Sequence, residues 1–187
     1  MSNHDNFEIN FSLKGNASIQ IGVYFLLAAY VIKTVLDGFL VDDNPFGMMS
    51  AEIIEFIIIS ITFFTFLFSA LALYFKGRRQ SNKFQYKLWN AKTKKNFWFF
   101  ILSFIGILFL LITLMNLGYI DFIVPSFLLL YGLLTFLNKN KKRKSLLILS
   151  GICLLLAFLC ILIPSYWYSS IFILGIAHIT YGFVVRN

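Results

Sequence analysis

Long apolar runs separated by short polar links dominate the chain. A transmembrane helix needs roughly 20 predominantly apolar residues. Six runs approach that length: Ile19–Leu40, Ile53–Phe75, Phe97–Leu117, Ile120–Leu137, Ser145–Ile163 and Trp167–Val185. The fourth and fifth are the shortest. None shows the alternation of a barrel strand, and an open sheet would leave its backbone groups unpaired in lipid. The pattern predicts an all-α, polytopic membrane protein. It is a single domain over residues 1–187, a bundle of six transmembrane helices preceded by a polar N-terminus, residues 1–18. The links are short except residues 76–96, KGRRQSNKFQYKLWNAKTKKN. The polar start and the absence of a small-x-small cleavage site predict that the first apolar run is retained.

Composition agrees with this pattern. Of 187 residues, 59% are hydrophobic and 13% charged, against roughly 25% charged in a soluble domain. Mean hydropathy is +0.82. Cys153 and Cys160 share one apolar run, seven residues apart. On a helix that separates their Cα atoms by roughly 10 Å, too far for a disulfide. They read as small apolar fillers.

Charge sets an orientation. Lys76, Arg78, Arg79, Lys83, Lys87, Lys92, Lys94 and Lys95 follow the second run, and Lys139, Lys141, Lys142, Arg143 and Lys144 follow the fourth. Lys14 precedes the first and Arg186 follows the last. Six alternating helices bring all of these to one side, while Asp37, Asp42, Asp43, Glu52, Glu55 and Asp121 gather on the other. By the positive-inside rule both termini are cytoplasmic. The net charge of +8 thus reflects topology, and no nucleic-acid partner is expected. The basic link interleaves aromatics with cations. Lys83, Lys87, Trp89, Lys92, Lys94 and Lys95 are candidates for contact with anionic lipid headgroups.

The last four runs suggest a repeated hairpin. Tyr131–Gly132 in LLLYGLL and Tyr181–Gly182 in HITYGFV are 50 residues apart, each approaching the basic side. Tyrosine also favours membrane interfaces in any helix, so duplication and simple interfacial placement both account for the pair. Small residues mark close packing. Gly15, Gly22 and Ala29 recur every seven residues in the first run, as do Gly175 and Gly182 in the sixth. Such faces pack within the chain or form a homo-oligomer or an interface with a membrane partner.

Ionisable groups inside a span are costly and become functional candidates. Lys33 and Asp37 lie one turn apart near the acidic end and are placed to form a salt bridge. Asp42, Asp43, Glu52 and Glu55 form an acidic collar without the ligand spacing of a known cation loop. His178 shares its face with Gly175, Tyr181 and Gly182, so it faces protein. By helical rise it lies about 12 Å from Arg186, and Lys33 sits about 9 Å nearer the other side. His178, Tyr181, Lys33 and Asp37 are the candidate intramembrane polar site. The histidine is either a neutral imidazole joining two helices by a hydrogen bond, or a proton relay, a haem or metal ligand, or a substrate contact. No second ligand pairs with it, so no cofactor is expected. No serine is matched with it by sequence, and phosphate loops, nucleophile elbows, HExxH and Cys-x-x-Cys are absent.

Several stretches together resemble a family. FSLKGNASIQIGVYFLLAAY is similar to its Ser-Leu-Ser-Gly lead into a first helix ending Gly-Ala-Tyr. KLWNAKTKK, VPSFLLLYGLL with Pro-x-x-Leu-x-x-Tyr-Gly, SGICLLLAFLCILIPSYW and the closing LGIAHITYG follow in order. In these features the chain resembles an uncharacterised family of six-helix bacterial integral membrane proteins. The resemblance implies six spans in the bacterial cytoplasmic membrane and weight on His178, Tyr181 and Gly182. It implies no activity, substrate or cofactor. The family's fifth helix often carries an acid where this chain has Leu154, which argues against an acid–histidine relay. Two functions remain open. One is a non-enzymatic membrane protein acting through protein or lipid contacts, in a structural, stress-related or regulatory role. The other is a small transporter or channel, supported by Lys33, His178 and the acidic mouth.

Overall fold

In the computed structural model, residues 13, 15–40, 46–85, 89, 91–137 and 146–185 are described, the side chains of 84, 91, 92, 96 and 164 excepted. Among the described residues there are six α-helices: α1 (Asn16–Phe39), α2 (Ala51–Phe84), α3 (Ala91–Asn116), α4 (Ile123–Leu137), α5 (Leu146–Leu162) and α6 (Trp167–Val184). Short 3-10 turns, Ile120–Phe122 and Pro164–Tyr166, lead into α4 and α6. No strand occurs among the described residues. Among the described residues, five helices are long and apolar enough to cross a membrane. The sixth, α5, is equally apolar but has 17 residues, about 25 Å by helical rise against a hydrocarbon core of about 30 Å.

The main departure from the sequence reading is α2. Its expected span ended at Phe75, but the helix continues to Phe84 and is 34 residues long. Lys, Arg and Gln sustain a helix well, so the first part of the basic link extends it. Gln85 ends it in the left-handed region (φ 52°), its N–H donating to the Ser81 carbonyl. Since α3 begins at Ala91, the supposed long link shrinks to residues 85–90.

The helices pack unevenly. α1 and α6 lie antiparallel along most of their lengths, and α4 and α5 form a second close pair. The buried core joins these four through Phe25, Phe127, Leu128, Leu149, Cys153 and Leu174. α2 leans on α1, where Tyr24 meets Phe68 at 6.0 Å. α3 touches the rest mainly through α4. Much of the outer surface of α2 and α3 is aromatic, with Phe56 and Phe109 at least 70% exposed. Water would penalise such a surface, whereas lipid tails would not. Four hydroxyls on these helices are satisfied locally: Thr62, Thr65, Ser69 and Thr113 each donate to the carbonyl four residues earlier.

The small residues show how the close pairs form. A Cβ added at Gly22 would lie 2.5 Å from the Gly175 carbonyl oxygen and 3.0 Å from the Ile179 nitrogen. One at Gly175 would meet Leu26 at 2.8 Å, and one at Gly182 would meet the Gly15 carbonyl oxygen at 2.8 Å. The two glycine faces therefore meet each other within the chain, with Ala29 fully buried further along α1. Gly15 differs from the expectation. Nothing lies within 4 Å of a Cβ built there, but its φ is +55°. Its requirement is the backbone conformation that starts α1. Gly132 does for α4 what Gly182 does for α6: an added Cβ would lie 3.1 Å from Cys153 on α5.

Candidate functional site

Three helices converge on His178. The α1–α6 seam brings Ser18, one turn beyond Gly15 on the same face, against the histidine. The close α4–α5 pair is held by Ser150 Oγ donating to the Gly132 carbonyl at 2.8 Å. From that pair, Tyr131 reaches across from α4. Ser18 and His178 are both fully buried.

The Tyr131 hydroxyl is 2.8 Å from His178 Nε2. Ser18 Oγ donates to the His178 carbonyl at 2.8 Å and lies 3.3 Å from Nδ1. One proton arrangement closes this network. The Ser18 proton goes to the carbonyl, Nδ1–H donates to Ser18 Oγ, and Nε2 accepts from the Tyr131 hydroxyl. The imidazole is then neutral with its proton on Nδ1, an assignment made from the bonding pattern. Both ring nitrogens are engaged.

Apolar rings enclose the network. The Phe25 ring centroid is 5.6 Å from that of His178 and 5.9 Å from that of Tyr131. Phe127 stacks on Tyr131 at 5.7 Å. Phe66 and Phe104, an edge-to-face pair at 4.4 Å, extend the cluster to α2 and α3.

This geometry does not suit nucleophilic catalysis. A serine activated by histidine directs its proton at the imidazole, whereas Ser18 directs its proton at a carbonyl. The arrangement suits helix joining. Each polar group would be costly if unpaired in an apolar interior, and each bonds to a different helix.

The other sequence candidates fall elsewhere. Tyr181 is buried one turn along α6, but Tyr131 and Ser18 take both nitrogens of His178. Lys33 and Asp37 form their salt bridge at 2.7 Å, with side chains 43% and 62% exposed. Lys33 also sits 5.5 Å above the Tyr168 ring. By helical rise this pair is about 22 Å from Ser18. The expected four-residue polar site is therefore two separate features. Glu52 is exposed and Glu55 half-buried, while Asp42 and Asp43 lie outside the described residues. Among the described residues, no group of three or more His, Cys, Asp or Glu side chains is placed to hold a metal ion. Cys153 and Cys160 are free and buried, and Cys160 donates to Ser170 Oγ at 3.0 Å.

In the basic link, Lys83, Lys94 and Lys95 are exposed. Trp89 packs against Phe97 at 5.1 Å and Tyr74 at 6.5 Å, so it bridges α2 and α3. Lys87 and the Lys92 side chain lie outside the described residues.

Sequence reasoning missed Ser18 and Tyr131. Signals for both existed. Ser18 falls on the Gly15/Gly22 stripe at helical spacing, and Tyr131 belongs to the repeated Tyr-Gly motif. The chain matches no protein-family model, no curated protein and no solved structure, so its own geometry carries the functional reading.

Proposed function

We propose that this chain is a six-span integral membrane protein of the bacterial cytoplasmic membrane, akin to the six-helix family it resembles. In this reading both termini face the cytoplasm, and it works without catalysis, through contacts with protein or lipid. α5 completes the sixth span with a few flanking residues and slight thinning of the bilayer. The basic ends of α2 and α3 meet anionic headgroups.

One observation carries the reading. The intramembrane histidine is wholly buried, and both its nitrogens bond within the protein. A relay or transport residue needs a polar route, whereas the rings of Phe25 and Tyr131 pack on His178 and Phe127 stacks on Tyr131 behind them. The network fits a clamp that sets the α1–α4–α6 geometry on which a contact surface depends. The test is ion flux in proteoliposomes. Protein-containing vesicles are expected to leak protons and monovalent cations no faster than empty ones. A flux abolished by His178→Gln would overturn the reading in favour of transport. Orientation is tested separately. A cysteine at Leu40 is expected to react with an impermeant maleimide from outside intact cells, and one at Lys83 only after lysis.

A further inference from the structure

Between the acidic end and the aromatic cluster lies a cavity of about 370 Å³ that the histidine network does not use. Its walls come from α1 to α4 and α6. On α1 it runs from Phe25 to Phe39, about 21 Å by helical rise. A volume of that size spread over that length has the shape of one unbranched chain, not of a compact solute. The lining is almost wholly apolar. Thr62 and Thr65 are on the wall, but their hydroxyls donate to Ile58 and Ile61 of their own helix.

The two ends differ. The floor is formed by Phe25, Phe66 and Phe127. At the acidic end, Glu55, Asp121 and Trp167 line the mouth, and among the described residues no lysine or arginine lines the cavity. A lining that holds two carboxylates and an indole at one end suits an ammonium group, which gains from both charge and the aromatic face. α2 and α3 hardly touch along this stretch, and the Phe66–Phe104 contact closes the gap at the level of the floor.

We propose that this cavity binds a single-chain amphiphile with an ammonium headgroup, its chain between α1, α2 and α4 and its charge at Glu55 and Asp121. The inference rests on the membrane-embedded reading above, which the labelling experiment tests independently. Binding also touches the clamp. Phe25 and Phe127 form the cavity floor and at the same time pack on His178 and Tyr131, so a bound chain supports the rings that cover the network.

The test uses the full chain in phosphatidylcholine nanodiscs, with labelled dodecyltrimethylammonium as the probe and empty nanodiscs as background. A saturable component of one probe per protein is expected. Unlabelled dodecyltrimethylammonium should displace it, whereas dodecyl sulfate and tetramethylammonium should not. Glu55→Gln with Asp121→Asn is expected to weaken binding about tenfold while leaving the melting temperature unchanged. Ala28→Phe, which fills the wall, should abolish it. Absence of a saturable component, equal displacement by dodecyl sulfate, or undiminished binding by the carboxylate variant would each overturn the proposal.

Discussion

The helices of the α1–α6 seam are less apolar than those of the α2–α3 side of the bundle, yet the seam is closed and the other side stands open. Along the seam, Gly22 and Gly175 leave no room for a Cβ between the two backbones, and Ser18 and Tyr131 bond His178 across helices. On the other side, a Cβ added at Gly106 of α3 would meet nothing within 4 Å. Phenylalanines hold α2 and α3 apart, with Phe66 and Phe104 as the contact. The comparison separates hydrophobicity from association. Lipid tails solvate apolar side chains as well as a neighbouring helix does, so apolar surface gives helices little reason to join. Small residues that allow close approach, and polar groups that need partners, decide which helices pair.

The strongest way to break this contrast is Gly22→Ala. The added methyl collides with backbone that cannot rotate away, and a loss of about 3 kcal/mol is expected. Thermal unfolding in mild detergent would show it, and a melting temperature equal to wild type would refute the close-approach account. His178→Leu supplies an apolar side chain of related size and keeps the backbone carbonyl to which Ser18 donates, but it removes Nδ1 from beside Ser18 and leaves the Tyr131 hydroxyl without Nε2. It should cost about 2 kcal/mol, and a stabilised variant would show that the network is not a clamp. Tyr131→Phe preserves the ring stack on Phe127 and removes one bond to Nε2. About 1 kcal/mol is expected, and combining it with His178→Leu should add almost nothing, because both remove the same bond. On the open side the sign reverses. Gly106→Ala gains helix propensity without a clash and should stabilise by about 0.5 kcal/mol. Lys33→Met removes an exposed ion pair and should leave the melting temperature within error.

The helices were legible because each is a local pattern. The apolar runs place α1, α3, α4, α5 and α6 to within a few residues, apart from the basic start of α3. The charged continuation of α2 was missed because hydropathy marks where a helix leaves lipid, not where it stops being a helix. The packing face of α6 was legible too, since Gly175, His178 and Gly182 fall together at helical spacing. Partners were harder. Ser18 is 160 residues from His178, and no local rule links them. Tyr131 was visible as half of a repeated motif, which pointed to Tyr181 as readily.

By itself the chain's order of apolar and charged residues determined where the apolar helices form, which of their ends are basic and which acidic, and which face of α6 turns inward. These follow from spacing along one helix and from the high cost of moving charge into lipid. Only the tertiary structure decided which helices touch, which hydroxyls take the two nitrogens of His178, and that a cavity lies between α1 and α4. Those depend on close fit over a few ångströms between segments far apart in sequence. A glycine at a contact and a glycine facing open space, Gly22 and Gly106, look the same until the neighbouring helix is in place.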